Sequence, residues 1–251
     1  MSHERSIEVE ARGPACIVTI ARPQKKNALS RAAAAALADA IEHAARDESV
    51  RGIVIAARGD VWIAGGDLGE FVKILDEPGA ADEVIAMGQR LRVIERAAVP
   101  VLAAISGDVY GGGCELALLC DDCIVERHVR LSFRHAAMGL APAWGGAARL
   151  CERVGPLAAS RLLYTARAVS ADEAFALRLV GELVDTGRAV ERACEVVAEI
   201  ARHPREVIAE QKHMLRRVRE VSRGAAEELE AETFRAMWGK PAHRAALRRP
   251  R

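Results

Sequence analysis

Gly111-Gly112-Gly113-Cys114-Glu115 places three consecutive glycines directly before an acid. The apolar run Val101 to Ile105, behind Pro100, reads as a buried strand, and Cys114 to Cys120 as the first turns of an apolar helix. Glycine between them tolerates positive φ and lets a ligand approach the main chain closely. The helix start also offers unpaired N–H groups and a partial positive charge, which together favour an anion. Glu115 falls in the first helical turn beside that cradle. An N–H cradle with a carboxylate next to it suits oxyanion stabilisation and proton transfer. A tight turn with a dipole-stabilised acid is the plainer reading of the same residues.

A second stretch, Val61-Trp62-Ile63-Ala64-Gly65-Gly66-Asp67-Leu68, repeats the order strand, Gly-Gly, helix, with Asp67 as the cap. Two such openings supply two sets of main-chain N–H groups, which is what an oxyanion hole requires. The polar loop Ala21 to Ser30 carries Lys25 and Lys26, which either bind phosphate or solubilise the loop. A long loop of small residues, Arg134 to Gly146, holds His135 and Trp144. Such loops often carry function.

The surrounding elements are those of a mixed α/β chain. Ser6 to Arg12 alternates, Gly13-Pro14 turns, and Ala15 to Ile20 returns as a hairpin partner. Ser30 caps a helix to about Arg46, and Arg51 to Ala56 is a buried strand. Lys73 to Ala81, with Pro78-Gly79, reads as a mobile flap, and Asp82 to Ala97 as a helix. Short strands follow at 123–125 and 131–133, then helices from Ala147 and after Gly155-Pro156. Ser170 to Glu173 has the form of a capping box, and Leu179 to Val184 is a last strand. From Arg188 the pattern is helical only, as 188–202, 204–223 and 225–238, which puts a boundary near residue 188.

The chain has 251 residues, half of them hydrophobic, and a formal charge of +1. That charge gives no basic field and argues against nucleic acid as a partner. No apolar run approaches the ~20 residues of a membrane span, and Met1 to Glu10 shows no apolar signal region. Arg248, Arg249 and Arg251 read as a solvated tail. The six cysteines are scattered through apolar runs and read as reduced thiols of a cytoplasmic protein. Cys120-Asp-Asp-Cys123 lacks the second pair or nearby histidines that a zinc site needs, so no metal is expected.

Taken in order, several blocks resemble the crotonase (enoyl-CoA hydratase/isomerase) superfamily: Arg-Pro-Gln-Lys-Lys-Asn-Ala-Leu at 22–29, Ala-Gly-Gly-Asp-Leu at 64–68 and Gly-Gly-Gly-Cys-Glu-Leu-Ala at 111–117. Cys-Asp at 120–121, Met-Gly-Leu at 138–140, Gly-Gly at 145–146 and Ser-Ala-Asp-Glu-Ala at 170–174 continue the match. The resemblance implies an α/β spiral of repeated ββα units over residues 1–188. It further implies a C-terminal helical region, 189–251, that packs homotrimers, often paired as hexamers. It implies an acyl-CoA thioester as substrate, with no cofactor beyond that coenzyme A. The thioester oxygen would lie between the N–H groups of Gly66 and Gly112, with Glu115 and His135 as catalytic residues. Lys25, Lys26, Ala28, Ala64, Gly65, Asp67, Leu68, Gly111 and Trp144 would contact the CoA or the acyl group. For Trp144 and Trp238, core packing is the competing reading.

The chain also departs from the family pattern. Hydratases of this family use a second glutamate, in a Pro-Glu pair four residues before the glycine of the later loop. Counting back from Gly139 reaches His135, preceded by Arg134. A histidine also moves protons near neutral pH, or it is a loop residue bonded to a carbonyl. The block His135 to Gly146, with Met237-Trp-Gly-Lys-Pro-Ala242, looks most like the ethylmalonyl-CoA decarboxylase branch. That branch often carries an acid where this chain has Ala137. Decarboxylation of a substituted malonyl-CoA is thus the first expectation. Hydration by Glu115 with His135, Δ3-Δ2-enoyl-CoA isomerisation and a non-catalytic CoA-binding scaffold are the alternatives.

Overall fold

The computed structural model describes residues 6–248, so the tail arginines 249 and 251 lie outside the described residues. In chain order the strands are β1 (Ile7–Arg12), β2 (Ala15–Ile20), β3 (Gly52–Ala57), β4 (Val61–Ile63), β5 (Val101–Ile105), β6 (Asp108–Tyr110), β7 (Asp122–Glu126), β8 (Arg130–Ser132), β9 (Val169–Ser170) and β10 (Glu182–Val184). The helices are α1 (Arg31–Arg46), α2 (Leu68–Ile74), α3 (Ala80–Leu91), α4 (Val93–Arg96), α5 (Gly112–Leu119), α6 (Gly146–Thr165, kinked at Gly155 where the sequence breaks it), α7 (Ala171–Ala176), α8 (Ala189–Ile200), α9 (Arg205–Met237) and α10 (Pro241–Leu247).

Two sheets collect these strands by turn. The larger has the order β1-β2-β3-β5-β7-β10, and the smaller β4-β6-β8-β9. After the opening hairpin, three turns (β3–β4, β5–β6 and β7–β8) each send their first strand to the large sheet and their second to the small one, and β9 and β10 then close the small and the large sheet in turn. Parallel pairing of β3 with β5, β5 with β7, β4 with β6 and β6 with β8 repeats this step. The result is the α/β spiral of ββα units that the sequence blocks imply. Each strand-to-helix corner therefore falls beside the corner of the next turn.

Period-two side-chain alternation places the core on both faces of the large sheet. Cys16, Val18 and Ile20 of β2, with Ile53 and Ile55 of β3, join the main core against α1. Ala15, Ile17, Val54, Ala56, Leu102 and Ala104 face the other way and are covered by Ala189, Ala193 and Val197 of α8. The first helix after residue 188 thus completes the sheet's packing.

Some local expectations change. The 73–81 stretch is no free flap: α2 and α3 take up both ends of it. Between them the Trp238 indole N–H donates to the Leu75 carbonyl at 3.3 Å and Arg244 pairs with Asp76 at 2.5 Å. The helix expected at 82–97 divides into α3 and α4. The helices expected on either side of Gly224 are one, α9, because a mid-helix glycine costs only about 1 kcal/mol beside good helix formers. The capping box at Ser170 is half formed. Ser170 accepts from the Glu173 N–H, but the Glu173 carboxylate turns to Arg167. Among the described residues no helix is long and apolar enough to cross a membrane.

Candidate active site

The two glycine corners meet backbone to backbone. A side chain at Gly113 would overlap the Ile63 carbonyl, and a Cβ at Gly65 would lie 2.9 Å from the Gly112 nitrogen. Gly111 (φ 51°) turns the chain out of β6 into α5, a conformation L side chains rarely take. Gly112 is the first residue of α5, so its N–H has no partner within that helix. Gly66 is bridged to Leu29 through its neighbours: Leu29 N–H donates to Gly65 C=O at 2.7 Å, and Asp67 N–H to Leu29 C=O at 2.9 Å. That pattern leaves the Gly66 N–H outside the ladder. The Phe71 ring packs against the Gly66 Cα and the Trp144 ring against that of Gly112, where added Cβ atoms would collide with each ring.

The loop before α1 holds this corner in place. Ala64 N–H donates to Lys26 C=O at 3.1 Å. Arg22 bonds the Ala28 carbonyl and pairs with Asp67 at 3.1 Å. Asp67 in turn caps α2, accepting from the Gly69 and Glu70 N–H groups. Burial alone would raise the Asp67 carboxyl, but Arg22 and these N–H donors outweigh it and hold it below the usual range. Asn27, fully buried at φ 53°, accepts from Arg22 N–H at 2.8 Å and donates to the carbonyls of Arg58 and Val61, both at 2.7 Å. Lys25 and Lys26 are exposed on this loop, Ala28 is buried under it, and Leu68 opens α2 half-buried.

Glu115 points into the same corner from α5 and is 2 % exposed. Its Oε2 accepts from Trp144 N–H at 2.7 Å and Gly146 N–H at 3.0 Å; its Oε1 meets His135 Nε2 at 2.9 Å, with Ala143 N–H at 3.5 Å. His135 Nδ1 is buried and, among the described residues, without a hydrogen-bond partner. The 134–146 loop therefore brings both expected catalytic side chains together. Trp144 is buried, with its indole N–H on the Val84 carbonyl at 3.0 Å. Its ring packs on the corner backbone at Gly112 and on Gly88 of α3.

Cys120 and Cys123 direct their thiols to the carbonyls of Leu116 and Ala117. Burial pushes Cys123 up to about 11 and Cys120 well above the usual thiol range. Among the described residues no group of three His, Cys, Asp or Glu side chains is placed to hold a metal.

Two positions that sequence reasoning passed over support the site. Asn27 stood within a recognised block, and its one signal is residue type, since asparagine tolerates positive φ. Arg149, behind the 144–146 turn, donates to the Gly145 carbonyl at 2.8 Å and carries no local signal.

Over residues 10–247 the chain matches the family described as Enoyl-CoA hydratase/isomerase. It is 37% identical over 186 residues to a crotonyl-CoA hydratase of Syntrophomonas wolfei, covering 73% of this chain and 70% of that one. It is 32% identical over 203 residues to an ethylmalonyl-CoA decarboxylase of Gallus gallus, covering 79% and 68%. An enoyl-CoA hydratase/isomerase structure from Mycobacterium paratuberculosis superposes with a TM-score of 0.89 at 24% identity, over 98% of this chain and 99% of that one.

Proposed function

Because the chain belongs to the enoyl-CoA hydratase/isomerase family, we propose that it converts an acyl-CoA thioester through an enolate, and that its reaction is decarboxylation of a substituted malonyl-CoA. The observation that carries the choice of reaction is the direct 2.9 Å hydrogen bond between His135 Nε2 and Glu115 Oε1. Hydration asks two groups to flank a water, one as base and one as acid. Here the two candidate groups bond each other and form one proton-transfer unit. Loss of CO2 asks for only one. The C–C bond to the carboxylate breaks, its electron pair moves through Cα to the thioester oxygen, and the resulting enolate takes one proton at Cα. The pair gives that proton and is reloaded by one taken up from solvent, so the thioester carboxylate and one proton become CO2 and the shortened acyl-CoA.

The Gly66 and Gly112 N–H groups would receive the thioester oxygen as its charge develops. Such donors favour the enolate over the ground-state carbonyl, and each is worth about 3–4 kcal/mol of transition-state stabilisation. Lys25 and Lys26, exposed on the loop beside Ala64, suit the phosphates of CoA. Main chain at Ala64 and Gly65, with Ala28, Asp67, Leu68 and Gly111, would line the path to the thioester. Trp144 would shape the acyl end from beneath the corner. We assign the assembly as a homotrimer or a dimer of trimers.

Hydration is the second reading, favoured by the crotonyl-CoA hydratase of Syntrophomonas wolfei among the relatives. It needs the His135–Glu115 bond to open and admit a water. One assay separates the two. Wild type and Glu115→Gln are offered ethylmalonyl-CoA and methylmalonyl-CoA with CO2 followed, and crotonyl-CoA with enoyl absorbance followed. CO2 release that falls about a hundredfold or more in Glu115→Gln is the expected result. Hydration without CO2 release overturns decarboxylation and gives His135 the second glutamate's part. Silence in both arms, with CoA still bound, points to isomerisation or a scaffold.

A further inference from the structure

The carboxylate of Glu115 is held by the N–H groups of Trp144 and Gly146, and the residue between them is braced from behind by a buried charge cluster. Gly145 takes φ 82°, and its carbonyl accepts from Arg149 Nη1 at 2.8 Å. A side chain at Gly145 would overlap the guanidinium, so the two are packed without space between them. The rest of the Arg149 fork is taken by acids. Nε donates to Glu95 Oε1 at 2.9 Å and Nη2 to Glu95 Oε2 at 2.5 Å, and Nη2 also lies 3.1 Å from Glu227 Oε1. The side chains of Arg149 and Glu95 are 3% and 6% exposed. Glu227 completes the set with Arg92 Nη1 at 3.0 Å. Among the described residues two guanidinium groups thus face two carboxylates, and this pairing suits the burial of Arg149 and Glu95 at the centre.

These four residues come from separate elements: Glu95 from α4, Arg149 from α6, Glu227 from the long helix α9, and Arg92 from the α3–α4 junction. Arg149 is the member that touches the turn. Its planar fork engages Glu95 with two donors and still presents a third to Gly145, a geometry lysine cannot reproduce. If Arg149 served packing alone, its polar contacts would end at the acids. The bond to Gly145 carries the cluster's rigidity to the two N–H groups on either side of that residue, and hence to Glu115.

We propose that Arg149 is a positioning residue for Glu115, acting through the Gly145 carbonyl, and that Glu227 makes this positioning depend on the seating of α9. The inference rests on Glu115 being catalytic, as read above. Its consequence is that the C-terminal helix sets the geometry of a carboxylate it does not touch.

The test uses full-length Arg149→Lys, Arg149→Met and Glu227→Gln. Two readouts are taken: steady-state kinetics on the acyl-CoA that the wild type turns over, and hydrogen–deuterium exchange of the peptide spanning 143–147. Expected is faster exchange in that peptide, most in Arg149→Met and less in Arg149→Lys and Glu227→Gln. The same order applies to kcat, falling about 10- to 100-fold in Arg149→Met, as a misplaced group of this kind allows. KM changes less than kcat, because most of the expected CoA contacts lie on the 22–29 and 64–68 loops and of them Trp144 alone lies in the loosened segment. Native exchange at 143–147 together with wild-type kcat in Arg149→Lys overturns the proposal. So does a fall in kcat that matches the unfolded fraction, with exchange rising along the whole chain rather than at 143–147, the mark of a merely structural residue. Should Arg149→Met fail to fold, Arg149→Lys and Glu227→Gln decide. A wild type that turns over no acyl-CoA defeats the proposed reaction, and the exchange experiment then still reads the brace by itself.

Discussion

A methyl group at residue 146 would stand 2.7 Å from Glu115 Oε2 and 2.9 Å from its Cδ. Carboxylates on long side chains usually escape such a contact by rotating. This one is tied by Trp144, Gly146 and His135 on its two oxygens, so rotation breaks bonds that a buried group cannot replace with water. Gly146 is not among the residues at positive φ and opens α6, so alanine fits its backbone, and the steric contact alone decides the effect. Gly146→Ala is therefore expected to lower kcat by about a hundredfold, while costing about 1–3 kcal/mol of stability from overpacking. Kinetics paired with a thermal melt checks both. An unchanged kcat would mean that the carboxylate has slack, and would sink the view of a fixed Glu115.

Between elements, the Arg22–Asp67 ion pair joins the 22–29 loop to the start of α2 beside the backbone bonds of Leu29 to Gly65 and Asp67. Asp67 is held below the ordinary carboxylate range by Arg22 and the α2 N–H groups, against the opposing effect of burial. A carboxyl with a depressed folded value contributes stability above its unfolded value, near pH 3.9, and loses it as pH falls through the folded value. Wild type and Asp67→Asn should then differ in unfolding midpoint at neutral pH and converge under acid. Parallel curves down to the acid limit would show that the pair contributes nothing. Much at this scale was legible in the chain. The strand, glycine pair and helix start are written in consecutive residues, and the caps at Ser30 and Asp67 each need one side chain and the N–H groups just after it. What stayed hidden depends on partners far along the sequence. Asn27 answers to the carbonyl of Val61, Arg149 to Glu95, and Trp238 to that of Leu75. None of these pairs leaves a periodicity or a motif. Gly224 misled for the opposite reason, since a local helix-breaking signal costs only about 1 kcal/mol and the helix formers of α9 carry the helix through it.

At the scale of the whole molecule, α9 divides its surface between two tasks. One side is used within the chain. Lys212 is buried with its Nζ on the carbonyls of Ile94 and Val99 and on Asp121 at 2.7 Å, Glu227 reaches Arg149, and Phe234 is buried. The other side shows Val207, Met214 and Leu215 to solvent at 44%, 55% and 58% exposure. Large apolar side chains repeated along a helix already pinned by its opposite side suit contact with further copies of the chain. The proposed trimer uses the helices beyond residue 188, so this side of α9 is its expected seat. Light scattering should give three or six times the chain mass, and Met214→Glu should shift it toward one. A second exposed pair, Leu157 and Tyr164, lies seven residues apart on α6 at 88% and 79% exposure, and supplies the control. If Leu157→Glu dissociates the assembly and Met214→Glu does not, the seat moves to α6. A monomeric wild type overturns the assignment of an oligomer. Because α9 also carries Glu227, a dissociated Met214→Glu variant should lose kcat only to the extent that exchange at 143–147 rises with it.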